Sequence, residues 1–251
     1  MVADLHHWAI GALHWVTRSP AMDSLFWIAV TLAAYAVTMS LYRRSGAHPM
    51  MLPVLTGTAT VVLLLMATGT SYPDYFEAVR PIVFFIGPAT VALAVPLFGQ
   101  VQRLKAIWWP VTAALLVGGS VAITSAMLIA WAFGADPEMI ISLAPKSSTM
   151  PIATGLSSHF GGTAALAAAA VAVTGIAGTM LSGPVIRWVL GPVDDAVLGF
   201  SLGLTAHAIG TARAIQISET AGAFAAMGMS LNGLFTAMLM PLALMLMPLL
   251  R

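Results

Sequence analysis

An all-α protein that crosses a membrane repeatedly is the fold class this sequence predicts, and three observations carry the prediction. Of 251 residues, 59% are hydrophobic and only 8% charged, where soluble domains carry roughly 25% charged residues, and mean hydropathy is +0.94. Apolar runs recur along the whole chain, with room for about seven or eight spans at some 20 residues each. Several runs are interrupted by proline, glycine and hydroxyl residues, which a bilayer tolerates only where protein or a water-filled cavity satisfies the broken backbone. The expected architecture is a polytopic helical bundle with broken or re-entrant helices. An inverted-repeat, elevator-type transporter fold is one arrangement of that kind. Residues 1–20 are expected as an N-terminal interfacial helix and residues 21–251 as one transmembrane domain.

Composition also excludes partners and chemistries. Ten Lys and Arg balance nine Asp and Glu, so nucleic acid is not an expected partner. Cysteine is absent, which removes disulfides and thiolate metal sites. There is no phosphate-binding glycine loop, paired zinc motif or nucleophile elbow, so neither an enzyme nor a cofactor or metal site is expected. The sixteen methionines read as adaptable apolar filling.

Taken in order, the segment Leu5 to Val16 carries His6, His7 and His14 beside Trp8 and Trp15. The seven-residue spacing of His7 and His14 would suit a metal site. The aromatic flanks favour a helix anchored at the membrane surface. The start lacks the basic residues of a secretory signal, and no cleavage is expected. A first span runs from Ser24 to Tyr42 and stops at Arg43 and Arg44. A second, Met51 to Met66, ends in a polar loop over Thr70 to Glu77. A third, Pro81 to Phe98, is broken around Gly87-Pro88 and Pro96, and Arg103 and Lys105 follow it. A long span covers Ala106 to Gly134. Beyond the broken stretch described next come Thr163 to Leu181, rich in small residues that suit close helix packing, and a separate short segment, Pro184 to Leu190. A further span, Ala196 to Ala208, leads into a break near Gly210, and the last runs from Glu219 to Arg251.

Positive charges orient the first half. Arg43, Arg44, Arg103 and Lys105 belong on the cytoplasmic side, and the loops holding Asp74, Glu77, Asp136 and Glu138 belong outside. Beyond that, two topologies fit. If the stretch around Pro145 spans, Arg187 lies outside; if it re-enters as a hairpin, Arg187 lies inside. The likeness of Phe84-Phe-Ile-Gly-Pro88 to Ile141-Ser-Leu-Ala-Pro145 raises an internal repeat pairing these two breaks.

The segment that holds most of the candidate chemistry is Leu143-Ala-Pro-Lys-Ser-Ser-Thr-Met-Pro-Ile-Ala-Thr-Gly-Leu156. Two prolines, three successive hydroxyls and a lysine cannot continue an apolar helix. Pro151 pre-sets a first-turn backbone and turns Met150 away from the α region, so a half-helix should begin at about Pro151. Its free N–H groups and positive dipole end then form an anion site, with Ser147, Ser148 and Thr149 beside it. The plainer reading is a kinked packing helix whose hydroxyls bond their own backbone.

Gly87-Pro-Ala-Thr-Val-Ala-Leu-Ala-Val-Pro96, Leu143-Ala-Pro-Lys-Ser147, Pro151-Ile-Ala153, His207-Ala-Ile-Gly-Thr-Ala-Arg-Ala214 and Gly222-Ala-Phe224 through Asn232-Gly233 together resemble the LrgB/CidB family of holin-like and antiholin-like bacterial membrane proteins. YohK-type proteins belong to it, and the likeness extends from about Leu25 to the C-terminus. The resemblance implies two functions. One is control of murein hydrolase activity and lysis with a small LrgA/CidA-type membrane partner. The other follows relatives linked to pyruvate uptake and a plastid carrier of glycolate and glycerate: transport of monocarboxylates of the pyruvate, glycolate, glycerate or lactate class. It also implies a multi-pass protein of the bacterial inner (cytoplasmic) membrane. Family members commonly read Lys-Ser-Val-Thr-Thr-Pro where this chain has Lys146-Ser-Ser-Thr-Met-Pro151, so substrate preference does not carry over.

On the carrier reading, Lys146, Ser147, Ser148, Thr149, Pro151, Thr211, Arg213 and Asn232 are the candidate substrate-binding residues, and His207 and Glu219 the candidate ion-coupling residues. Lys146 either neutralises a carboxylate or snorkels to an interface. Arg213 has a planar fork suited to carboxylates or marks a helix end, and it could pair with Glu219. His207 titrates nearest physiological pH or is a satisfied interior histidine. Asn232, deep in the last span, bonds between helices or touches substrate. A homodimer through the early spans is expected.

Overall fold

A computed structural model describes residues 20–46, 48, 51–92, 94–99 and 101–245. Among them every regular element is helical, in two compact units, Met1–Val91 and Ala92–Arg251. The expected interfacial helix, with His6, His7 and His14, lies outside the described residues, as does the chain beyond Met245. Among the described residues four helices are long and apolar enough to cross a membrane, or five if one bent pair counts as a span. The remaining apolar length lies in short or folded-back helices.

The first unit holds α1 (Pro20–Arg44), α2 (Pro53–Thr68), α3 (Tyr72–Ala78), α4 (Arg80–Phe84) and the start of α5 (Ile86–Ala92). Thr38, late in α1, faces Gly57, early in α2. Trp27, early in α1, clusters with Leu65, late in α2, so the two helices run antiparallel. The segment expected as a polar loop after α2 is α3. Ser71 accepts from the Asp74 N–H as its cap, and α3 leaves α2 at 117°. The Trp27 and Tyr75 rings meet edge to face at 5.4 Å, and the Tyr75 hydroxyl lies 3.0 Å from Thr31 Oγ1. Beside this contact α1 and α2 leave a mostly apolar recess of about 400 Å³.

The second unit continues with α6 (Ala94–Gly99), α7 (Val101–Ala106), α8 (Trp108–Ala132), α9 (Pro137–Leu143), α10 (Met150–His159), α11 (Ala164–Leu190), α12 (Asp195–Ile215) and α13 (Glu219–Leu244). The expected third span is thus cut into α4, α5 and α6. Thr163–Leu181 and Pro184–Leu190, expected as separate segments, are the single helix α11 with Pro184 inside it. A proline removes one bond and clashes over one turn, and in so long an apolar helix the neighbouring turns carry through it.

Two core clusters show how the long helices run. Val111, near the start of α8, packs with Phe224 and Met227 of early α13. Ile123, Met127 and Ala130, late in α8, pack with Met240 and Ala243 of late α13. The two helices are therefore parallel. Each cluster also receives a broken segment: α9 and Ala144 join the late one, and the first half of α12 joins the early one.

Candidate functional site

Both broken segments turn back on themselves. Asp136 caps α9 by accepting from the Met139 N–H, and the chain turns over residues 144–149 before α10 returns it. The return is pinned at its base: the Thr163 N–H donates to Ser142 Oγ at 2.8 Å, and the Thr163 hydroxyl donates to the Glu138 carboxylate. The stretch around Pro145 is therefore a re-entrant hairpin. The half-helix starts one residue earlier than expected, with Thr149 (φ −69°, ψ 152°) as the extended cap and Met150 already helical, so Pro151 occupies the second position of the first turn.

The second hairpin is α12. His207 has φ 42° and ψ −129°, a region that favours glycine. Beyond it, a Cβ on Gly210 would stand 2.3 Å from the Leu202 carbonyl oxygen, although residues eight apart in a straight helix are separated by about 12 Å. At the base, the Ser218 hydroxyl, which caps α13, donates to Asp195 Oδ2 at 2.7 Å. The break thus falls at His207 and not at Gly210, and it is the second break of this unit beside the one at Pro145. Gly210 is instead where the returning arm touches the first.

The hairpins enter from opposite ends. The first has its base at the end of α8 and the start of α11; the second has its base at the end of α11 and the start of α13. Arg103, just ahead of α8, donates to Asp194 Oδ1 at 2.7 Å, placing the end of α11 beside the start of α8. Within this unit the Pro145 stretch folds back on itself, and the end of α11 that carries Arg187 lies at the same end as Arg103. The Ala196 N–H and the Arg103 guanidinium together hold the Asp194 carboxyl below the usual carboxylate range.

The tips meet halfway along the long helices. Asn232 lies between Glu219 and Leu244 near the centre of α13 and is 1% exposed. Its Nδ2 donates to Ser147 O of the first tip at 2.9 Å and to Leu204 O of the second hairpin at 3.1 Å. Ser147, Ser148, His207 and Thr211 are buried around the junction. The Ser148 hydroxyl donates to Pro145 O and the Thr211 hydroxyl to His207 O, each at 2.8 Å. His207 Nε2 bonds Val171 O of α11 at 3.0 Å; since a carbonyl only accepts, Nε2 carries the hydrogen. A Cβ on Gly175 would stand 2.6 Å from the His207 ring, so the absence of a side chain there makes the space for it. Lys146 is partly buried, and its Nζ lies 3.5 Å from Ser147 Oγ.

The structure thus brings Lys146, Ser147, Ser148, His207, Thr211 and Asn232 to one junction, with Thr149 and Pro151 at the start of α10 beside it. Glu219 is not brought there. Arg213 lies six residues past the break on the returning arm, about 9 Å away along a helix, and is partly exposed. Glu219 opens α13, exposed, about 20 Å along that helix from Asn232. Sequence reasoning missed Ser142, Glu138 and Thr163 as the clasp of the first hairpin, and Gly199 and Gly203 as the packing seam of the second. The four-residue spacing of those glycines was the available signal.

A helical membrane protein with two re-entrant hairpins, inserted from opposite ends and meeting tip to tip, is the class that fold and junction define. The chain belongs to the LrgB-like family, whose model matches residues 31–246. It is 33% identical over 215 residues to the protein named "Uncharacterized protein YxaC" of Bacillus subtilis (strain 168), covering 86% of this chain and 93% of that one. It is 29% identical over 223 residues to the proteins named "Antiholin-like protein LrgB" of Bacillus mycoides (strain KBAB4) and Bacillus cereus (strain B4264), covering 88% of this chain and 96% of each. No solved structure matches it.

Proposed function

We propose that this chain carries a small monocarboxylate across the bacterial inner membrane by alternating access about the hairpin junction. The observation that carries the reading is Lys146. Among the described residues its ammonium bonds the Ser147 hydroxyl and pairs with no carboxylate. A cation so placed, half-buried at mid-membrane, is costly without an anion. The first-turn N–H groups of α10 lie beside it, and the Thr149 side chain does not cap them. Lys146, the Ser147 hydroxyl and those N–H groups form one carboxylate-binding set. His207 is the proposed proton carrier, because its Nε2–H is committed to Val171 O and Nδ1 is left as the accepting nitrogen. The test is uptake into liposomes containing only the purified chain. A monocarboxylate should enter saturably and a neutral solute of equal size should not, and an inward proton gradient should raise the rate in wild type but not in His207→Gln.

A second reading is favoured by a different observation, the antiholin-like names of the relatives. On it, the chain controls murein hydrolase activity and lysis with an LrgA/CidA-type partner, and the hairpins serve assembly. Of the two readings, this is the one the comparisons with known proteins support. Lysis control that persists after Lys146→Ala, with no uptake by the wild-type chain, would select it. Both readings accommodate a homodimer through the first-unit spans.

A further inference from the structure

We infer that the Asn232 carboxamide is a latch, a positioning residue that holds the two hairpin tips against each other and so sets where Lys146 and Ser147 stand. Each hairpin leaves backbone carbonyls without a helical donor at its turn. Two carbonyls close to these turns, Ser147 O and Leu204 O, come from segments 57 residues apart in the chain, yet both are met by the one Nδ2 of Asn232, at 2.9 and 3.1 Å. A primary amide is a short side chain with two N–H donors on one nitrogen, which is what bridging two acceptors requires. Its orientation is fixed by its partners, since Oδ1 turned toward them would face two carbonyls. Oδ1 instead points at α8, where a Cβ on Gly119 would stand 3.2 Å from it and 2.5 Å from the Phe235 ring. The middle of α8 thus backs the amide and keeps it aimed at the tips. With Asn232 1% exposed and Ser148, His207 and Thr211 buried around it, the tips are closed on each other in this structure. Any solute reaching the junction must part them, and the amide bonds are then exchanged for bonds to solute or water.

The gating consequence rests on the carrier reading; the coupling of the tips does not, and the test reads the coupling without any substrate. Amide hydrogen exchange is followed in nanodiscs for wild type, Asn232→Leu, Asn232→Asp and Asn232→Gln. The reporters are Lys146 and Ser148, whose N–H groups bond Leu143 O and Pro145 O, and residues 206–210 in the other tip. Leucine keeps the volume without donors, and aspartate keeps the shape but presents only acceptors. Both should speed exchange at both tips together by about tenfold or more, the effect of losing two buried hydrogen bonds. The hairpin bases, Glu138 with Thr163 and Asp195 with Ser218, should keep wild-type rates. Glutamine, which retains both donors on a longer arm, should restore most of the protection. Acceleration at one tip only, at neither, or uniformly across α8, α11 and α13 overturns the latch, as does a glutamine variant no better than leucine. If the tips are coupled as stated but no solute is transported, the latch stands and the carrier reading fails.

Discussion

At His207 the backbone and the side chain pull in different directions. The backbone has φ 42°, ψ −129°, a strain of about 1–3 kcal/mol for a residue with a Cβ, and the ring holds it there by its bond to Val171 O. Replacing the ring therefore separates two effects. His207→Ala should lose the tether and keep the strain, destabilising by about 2–4 kcal/mol. His207→Gly should lose the tether and relieve the strain, leaving it about 1 kcal/mol more stable than the alanine variant. Thermal unfolding in detergent reads the order, and alanine equal to or above glycine would contradict the strain. Lys146 and Ser147 make the other residue-scale prediction. A charge-assisted hydrogen bond contributes about 1.5–3 kcal/mol, so Lys146→Ala or Ser147→Ala should weaken monocarboxylate binding roughly tenfold or more. Calorimetry on folded protein measures it. These residues were legible in the sequence because a lysine and three hydroxyls stand out in an apolar run. That Glu219 lies away from the junction was not legible, because it depends on where α13 begins relative to the hairpin tips.

The glycines of α12 decide how its hairpin seats on α13. A Cβ on Gly203 would stand 2.0 Å from Ala225 O, and one on Gly199 2.2 Å from Ala221 O. The obstacle is backbone, so Gly203→Ala should cost about 1–3 kcal/mol. Gly155, inside α10 with nothing within 4 Å of its Cβ position, should respond oppositely, gaining about 0.5–1 kcal/mol as alanine; the same melting assay reads both. At the base of this hairpin Asp194 caps α12 and accepts from Arg103. Its folded pKa is lowered, by the Ala196 N–H first and the Arg103 hydrogen bond second. The stabilisation is therefore present above the unfolded pKa and lost as pH falls through the folded one. The protection factor of the Ala196 N–H, taken against its intrinsic exchange rate at each pH, should fall in acid and hold at neutral pH, and Arg103→Gln should move the transition upward in pH. The long helices were readable from hydropathy, and so was the Pro145 break, since proline removes a donor wherever it sits. The His207 break has no proline; its turn is imposed by contacts with α11 and α13, which no local pattern encodes. Ser71 and Pro73 did announce α3, but polar composition made that segment look like a loop.

The second unit as a whole is built on two hairpins inserted from opposite ends, and that predicts sidedness. The chain has no cysteine, so single cysteines report cleanly. Cysteines at positions 103 and 187 should label from the same side of the membrane, because Arg103 reaches Asp194, and position 43 should share that side by the positive-inside rule. Labelling of 103 and 187 from opposite faces would contradict the re-entrant first hairpin. Charge counting leaves this choice open because it depends on whether the Pro145 stretch crosses or returns, and the return depends on contacts far apart in sequence, the clasp of Thr163 onto Glu138 and Ser142. The measurement that bears most directly on function is uptake of a radiolabelled monocarboxylate by liposomes holding the purified chain alone, wild type against Lys146→Ala, with tip protection verified by hydrogen exchange in both. Saturable uptake by wild type, reduced at least tenfold in the variant while its hairpins stay closed, is the predicted result. A folded wild-type chain that moves no monocarboxylate, or a variant that moves it equally well, would contradict the carrier and its site.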